Sequence, residues 1–253
     1  MDFIKFNEGE NMNKKYEFTG ETKEFYGRTL KRIRAKISFG NVIKGEIGGW
    51  IEKEENLSHN GNAWVYGEAE VYGNAKVYGE AKVYGEAEVY GNAKVYGEAE
   101  VYGNAWVYGE AEVYGEAEVY GNAKVYGNAK VYGEAKVYGN AKVYGEAEVY
   151  GNAKVYGEAK VYGNAKVYGE AEVYGEAKVI KTRHIILFSK VGSRNDTLTA
   201  FRTKTGFSIK VGCFLGSLEL FLEKVKETHG DNKYAQEYRA IAEVIKIRFS
   251  EEN

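Results

Sequence analysis

The chain has one cysteine, Cys213, and three histidines, His59, His184 and His229. A single cysteine forms no intramolecular disulfide, which fits a reducing compartment. No apolar run approaches the length of a membrane span. The first ten residues hold no apolar stretch long enough for a signal peptide. These absences predict a cytoplasmic protein without a membrane partner. Residues 7–15 are polar and weakly patterned, so the folded part is expected to begin as readily at Met12 as at Met1. A dominant charge is lacking too: 35 Lys and Arg stand against 37 Asp and Glu, a formal net of −2. No part of the chain carries the strong basic stripe of a dedicated nucleic-acid binder, so no nucleic-acid partner is expected.

What the chain has is one repeated phrase. From residue 61 to residue 180 it reads Gly-(Asn/Glu)-Ala-X-Val-Tyr without insertion or deletion, 20 units in 120 residues, and only the last unit ends in Ile180 instead of Tyr. A strict short period marks a parallel β-helix, because each unit is too small to bury its own face and stability comes from stacking. Ala-X-Val-Tyr alternates as a strand does. The charged X residues must face water, which turns Ala and Val inward. Gly and Asn/Glu make the corner, and the pattern alone leaves open which of them takes a positive φ. The repeat divides the chain into an N-terminal segment and β cap (1–60), the β-helix (61–180) and a C-terminal module (181–253).

The aliphatic residue, the intervening turn positions and the small residue together resemble the hexapeptide repeat of left-handed parallel β-helix proteins. The likeness covers all 20 units. This sequence departs from that family in placing Tyr directly after the aliphatic residue and Gly one position later. The resemblance implies a left-handed helix with three units per triangular coil. The expected fold is therefore mainly β, with about seven triangular coils. At roughly 4.8 Å per stacked strand the prism is about 30–35 Å long.

An 18-residue coil stacks residues 18 apart. The tyrosines then form three ladders, which start at Tyr66, Tyr72 and Tyr78. Stacked rings stabilise one another and shield the backbone. They also offer an aromatic surface larger than a monomer ordinarily exposes. One X column reads Glu70, Glu88, Trp106, Lys124, Lys142, Lys160, Lys178. Like charges at strand spacing repel unless neighbouring corner glutamates compensate. Trp106 is the most anomalous residue of the repeat and a contact candidate. Trp64, at the start, is expected to be buried under the N-terminal segment.

Many left-handed β-helix proteins are acyltransferases. The resemblance implies that such an enzyme would use a histidine base and a loop ejected from the coils. The 20 units contain neither. A general base must reach the acceptor proton, and fold alone does not carry function. No enzyme activity and no cofactor or metal are expected, with acyl transfer kept as a minor alternative.

In the N-terminal segment, Leu30, Ile33, Ala35, Ile37 and Phe39 alternate with Arg32, Arg34 and Lys36, which predicts one or two strands. The cationic side, with Arg28 and Lys31, is either a solvated strand face or a phosphate contact. Solenoid ends need caps, and Trp50 and Ile51 suit that task. The string Gly48-Gly49-Trp50-Ile51, Asn56-Leu57-Ser58, Gly61-Asn62-Ala63-Trp64-Val65-Tyr66 resembles the lead-in of bacterial hexapeptide-repeat proteins named as transferases.

After residue 181 the pattern changes. Residues 185–188, 198–202 and 207–211 read as strands, and Thr205-Gly206 makes the last two a hairpin. Ser217 caps a helix that ends at Gly230, and Asp231 caps a second. The module is thus α+β in the order βββαα. Val191-Gly-Ser-Arg-Asn-Asp and Lys226-Glu-Thr-His-Gly-Asp-Asn-Lys-Tyr resemble a small module at the end of phage- and prophage-encoded proteins.

The expected function is that of a non-enzymatic interaction or scaffold protein. A rigid β-helix presents a partner-binding module, and the phage resemblance implies a host protein, such as a defence factor, as the inhibited partner. The partner-binding candidates are Trp106, Lys124, Lys142, Lys160, Lys178, Arg194 and Asn195. The alternative is a ligand-binding or catalytic module lined by Ser193, Arg194, Asn195, Cys213 and His229. Self-association is a third reading.

Overall fold

The computed structural model describes residues 14–250. The choice between Met1 and Met12 as a start lies outside the described residues. Each repeat unit contributes a strand at X-Val that pairs in parallel with the strand 18 residues away, and the strand is two residues long except at Lys76–Gly79. Lys94 lies beside Glu112, and Val95 beside Val113. The strands form three stacked parallel sheets, the three faces of a solenoid of about seven turns. The first face carries the X column from Glu70 to Lys178. The second carries Lys76 to Lys166, and the third Trp64 to Glu172.

Hydrogen bonds between coils repeat as regularly as the sequence. Lys94 N–H donates to Ala111 O (2.9 Å), Tyr96 N–H to Val113 O (3.0 Å) and Asn92 N–H to Gly109 O (2.7 Å). The repeat alanines and valines fill the interior and are essentially inaccessible. Burying a Val side chain contributes about 1.5 kcal/mol or more, so each added coil brings its own stabilisation. The corner residue with positive φ is glycine throughout: the repeat glycines lie between 58° and 75°. Asn or Glu at the next position therefore needs no special backbone, which is why both occur there.

Strands β1 (Tyr16–Phe25) and β2 (Arg28–Ala35) form an antiparallel hairpin, and β3 (Ile47–Ile51) pairs with β2. On its other side β3 pairs in parallel with the first solenoid strand of the first face, Trp50 beside Glu70 and Ile51 beside Val71. Leu57 likewise lies beside Val77 on the second face. Stacking therefore begins before the first complete repeat unit. The first coil would leave backbone carbonyls without donors, and side chains supply them. Lys15 Nζ donates to Ala63 O (2.7 Å) and Gly61 O (3.1 Å). Asn56 Nδ2 donates to Ala75 O (2.8 Å) and Gly73 O (3.1 Å). Ile51 and Trp64 are fully buried and Trp50 nearly so. The cationic side of β2 is ion-paired: Arg28 with Glu52 (2.9 Å) and Arg32 with Glu68 (2.8 Å). That is the solvated-face reading, with carboxylates rather than phosphate as partners.

The C-terminal module is a four-stranded antiparallel sheet, Ile185–Val191, Asp196–Arg202, Phe207–Val211 and Phe214–Gly216, followed by helices α1 (Leu218–His229) and α2 (Lys233–Ser250). The order is thus ββββαα. The fourth strand is three residues long, too short for a periodic signal, and turns back through Gly212 at φ 51°. Ser217 caps α1 as expected, accepting from Leu220 N–H. The cap of α2 is Asn232 rather than Asp231: Asn232 Oδ1 accepts from Tyr234 N–H and Ala235 N–H. Asp231 instead pairs with Arg239 (2.8 Å). The module closes the solenoid, because Ile185 and Phe201 join the rod's apolar core and Thr203 bridges to Ala177. A second core, including Leu198, Ile209, Phe221 and Ile245, holds the helices on the sheet.

Candidate functional site

The faces differ in how far they pair their own charges: on the third every X lysine has a glutamate partner, and on the second two of four do, Lys76 and Lys130 forming no ion pair among the described residues. On the second, Lys94 pairs with Glu112 (2.9 Å) and Lys166 with Glu148 (3.1 Å). On the third, Lys82 pairs with Glu100 (2.8 Å), Lys136 with Glu118 (2.6 Å) and Lys154 with Glu172 (3.3 Å). The first face differs. Its acidic end is covered by the cap: Glu70 is buried and pairs with Lys23 (2.6 Å). Glu88 accepts from the Tyr72 hydroxyl (2.9 Å), and burial raises its carboxyl above the usual range. Beyond Trp106, strand pairing places Lys124, Lys142, Lys160 and Lys178 side by side in consecutive coils. None of the four forms an ion pair among the described residues.

The expected compensation by corner glutamates is missing where the ladder starts. One adjacent corner column there is Asn104, Asn122 and Asn140, whose amides bond to one another (3.3 and 3.1 Å), and the other reads Glu110, Asn128 and Glu146. Lys124 Nζ instead lies over the Trp106 ring, 3.4 Å from its centroid. Unit charges about 4 Å apart repel by about 1 kcal/mol even in water, so neighbouring lysines destabilise one another slightly. An anion laid along them removes that repulsion. On the opposite edge, between the second and third faces, Glu80, Glu98, Glu116 and Glu134 are exposed in consecutive coils.

The three tyrosine ladders form as the 18-residue spacing predicts. Ring centroids lie 4.6–5.5 Å apart and the rings are nearly parallel, from Tyr72–Tyr90 to Tyr156–Tyr174. The exception is Tyr66, which stands perpendicular to Tyr84. The expected exposed aromatic surface is reduced, because the ladder rings are mostly half-buried and only Tyr168, at 42%, is substantially open. A pattern the sequence did not reveal anchors the hydroxyls. Tyr84 donates to Glu100 (2.7 Å), Tyr102 to Glu118 (2.8 Å) and Tyr132 to Glu148 (2.9 Å), each 16 residues on. Burial first, then the adjacent carboxylate, raises these phenols.

Arg194 and Asn195 lie elsewhere. Their turn leads into Asp196–Thr197, which sits against the third face and its acidic edge, where the Thr197 hydroxyl donates to Glu170 (2.6 Å). The lysine ladder and the Arg194 turn therefore do not form one surface. Ser193, Arg194, Cys213 and His229 do come together, around a pocket of about 210 Å³. Asn195, exposed at φ 51°, is not among its lining residues. Cys213 is exposed, in the turn between the last two strands. A second cavity, about 420 Å³, lies at the junction of rod and module between Lys136, Lys154, Glu172, Asp196 and Lys210. No sequence signal marks it, because it exists only through docking: Lys210 reaches Glu172 (3.2 Å) across the junction.

Among the described residues no helix is long and apolar enough to cross a membrane, and no group of three or more His, Cys, Asp or Glu is placed to hold a metal ion.

The architecture defines a capped parallel β-solenoid of hexapeptide units. No protein-family profile matches the chain. Over 37 residues it is 46% identical to a protein of Escherichia coli (strain K12) named "Uncharacterized acetyltransferase YdcK". The match covers 15% of this chain and 11% of that relative's length.

Proposed function

We propose that this is a non-enzymatic interaction protein whose rod offers its first face, Trp106 with Lys124, Lys142, Lys160 and Lys178, to an acidic protein surface. The observation that carries the reading is the contrast between faces: the third pairs all its lysines with glutamates and the second two of four, while four consecutive lysines of the first have no carboxylate partner. Trp106 supplies the aromatic anchor that charge alone lacks, since exposed ion pairs contribute only about 0–1 kcal/mol each. The C-terminal module closes the rod and presents further surface. Its likeness to modules of phage-encoded proteins makes a host protein the partner in this reading. The name of the E. coli relative favours acetyl transfer as a second reading. The repeat units contain no histidine and no inserted loop, and this supports binding over catalysis.

The test is affinity capture by the full-length protein and by a variant with Lys142, Lys160 and Lys178 changed to Glu. An acidic protein captured by the first, lost with the second and released by salt supports the reading. Capture of the same proteins by both removes it.

A further inference from the structure

We infer that the C-terminal module binds a small carboxylate with an apolar body in the pocket beside Arg194. This inference is independent of the lysine face. The pocket floor is apolar: Val211 and Phe214 come from the sheet, and Phe221 and Val225 from α1. Its volume, about 210 Å³, lies below the ~300–1,000 Å³ of sites for drug-sized ligands. The occupant is therefore a single ring or a short chain.

The polar groups at the rim select the charge. Lys224 pairs with Glu227 on the surface of α1 (2.6 Å). Asp196, the one carboxylate among the lining residues, accepts from Thr197 N–H (2.8 Å). Arg194 has no hydrogen bond, ion pair or ring contact among the described residues. Its planar fork matches a carboxylate in bidentate fashion. One uncommitted guanidinium above an apolar floor fits a monoanion better than a phosphate dianion. The turn that carries Arg194 is held in place. Gly192 N–H donates to Glu237 (2.9 Å), and Gly192 packs so closely on the Tyr238 ring that no side chain fits there. The guanidinium is thus presented from a fixed backbone, which lowers the ordering cost of binding.

Cys213 lines the same pocket, is exposed, and is the only thiol in the chain. It therefore serves as a reporter. The experiment follows alkylation of Cys213 by iodoacetamide in the full-length protein, with calorimetry on the same samples as a thiol-independent readout. The probes are phenylacetate, its neutral analogue phenylacetamide, and inorganic phosphate. Phenylacetate is expected to slow alkylation saturably and to give binding heat, and the amide and phosphate to do neither at equal concentration. Arg194→Ala is expected to weaken phenylacetate binding by about tenfold or more, the worth of a charge-assisted hydrogen bond. Arg194→Lys should retain part of the affinity. The inference is overturned if phenylacetate gives neither protection nor heat, if the amide or phosphate matches it, or if Arg194→Ala binds it as the unaltered protein does.

Discussion

The ammonium group of Lys124 lies 3.4 Å from the centroid of the Trp106 ring, and strand pairing sets the two residues side by side in consecutive coils. The contact joins the one aromatic X residue in the middle of the rod to the first of four lysines without carboxylate partners. Trp50 and Trp64 are buried at 9% and 0% exposure. Trp106 is therefore the tryptophan that solutes reach. Iodide, an anion, is expected to quench the fluorescence more strongly than caesium does. Changing Lys124, Lys142 and Lys160 to Glu should reverse that order. Equal quenching by the two ions in the unaltered protein would mean that the ladder is neutralised after all.

The corner glycines differ in what a methyl group would meet. At Gly109, φ is 75° and an added Cβ would lie 3.0 Å from Gly127 N and 3.2 Å from Gly127 O. At Gly169, φ is 65° and nothing lies within 4 Å. Alanine in the left-handed region costs roughly 1–2 kcal/mol at either site. Gly109→Ala adds the clash with backbone, about 1 kcal/mol or more. Urea denaturation should rank Gly109→Ala clearly below Gly169→Ala. Equal losses would show that coils separate freely enough to absorb a methyl group.

Lys15 is 1% exposed, and burial pushes its amine down from 10.5 to about 8. Below pH 8 the folded state must hold a buried ammonium, a cost that disappears as pH rises from 8 towards 10.5. The tyrosines act in the opposite sense. Burial, with neighbouring phenols and carboxylates, raises Tyr90 and Tyr96 from 10 to about 12. The folded state keeps these phenols protonated, so their contribution is full below pH 10 and is lost above it. Thermal midpoints should therefore rise from pH 8 to about 10 and then fall. In Lys15→Met the rise should vanish and the fall remain. A rise that persists in that variant would place its origin elsewhere.

Coil periodicity gives a test of phase. Removing residues 109–126 takes out one whole coil and sets Lys142 in the place of Lys124 beside Trp106. Removing residues 109–114 takes out one unit and turns everything after it by a third of a coil. Trp106 then meets Lys130, with Glu148 one coil further on, and the lysine ladder moves to the third face. Both variants should fold with unchanged circular dichroism per residue, because each cap touches only its own end. Only the whole-coil deletion should keep the iodide preference and partner capture. Loss of folding in the whole-coil deletion would show that the coils are not interchangeable.

The rod was legible because its order is local and periodic. Ala93 and Val95 point inward, and Trp106 meets Lys124, from alternation and the 18-residue count alone. The ends were not legible, because they depend on contacts between distant residues. Lys15 answers the carbonyl of Ala63, 48 positions away, and β1 carries no clear pattern although it opens the cap. Asn232 rather than Asp231 caps α2, since one residue of register decides which oxygen reaches the free N–H groups. The pocket residues Arg194, Cys213 and His229 were each visible as polar or reactive groups. Their apolar floor of Phe214 and Phe221 required the unrecognised fourth strand.

The hydrogen bonds between coils run parallel to the rod axis, and this orientation sets how the molecule would bear a load. A pull on its two ends acts along those bonds, so they open a few at a time rather than all together in shear. Each coil is about 4.8 Å thick, yet its 18 residues extend to about 60 Å once freed. Near-identical coils would yield at nearly equal force. Under tension the rod would lengthen in uniform steps, stiff between them, as a store of slack released one turn at a time.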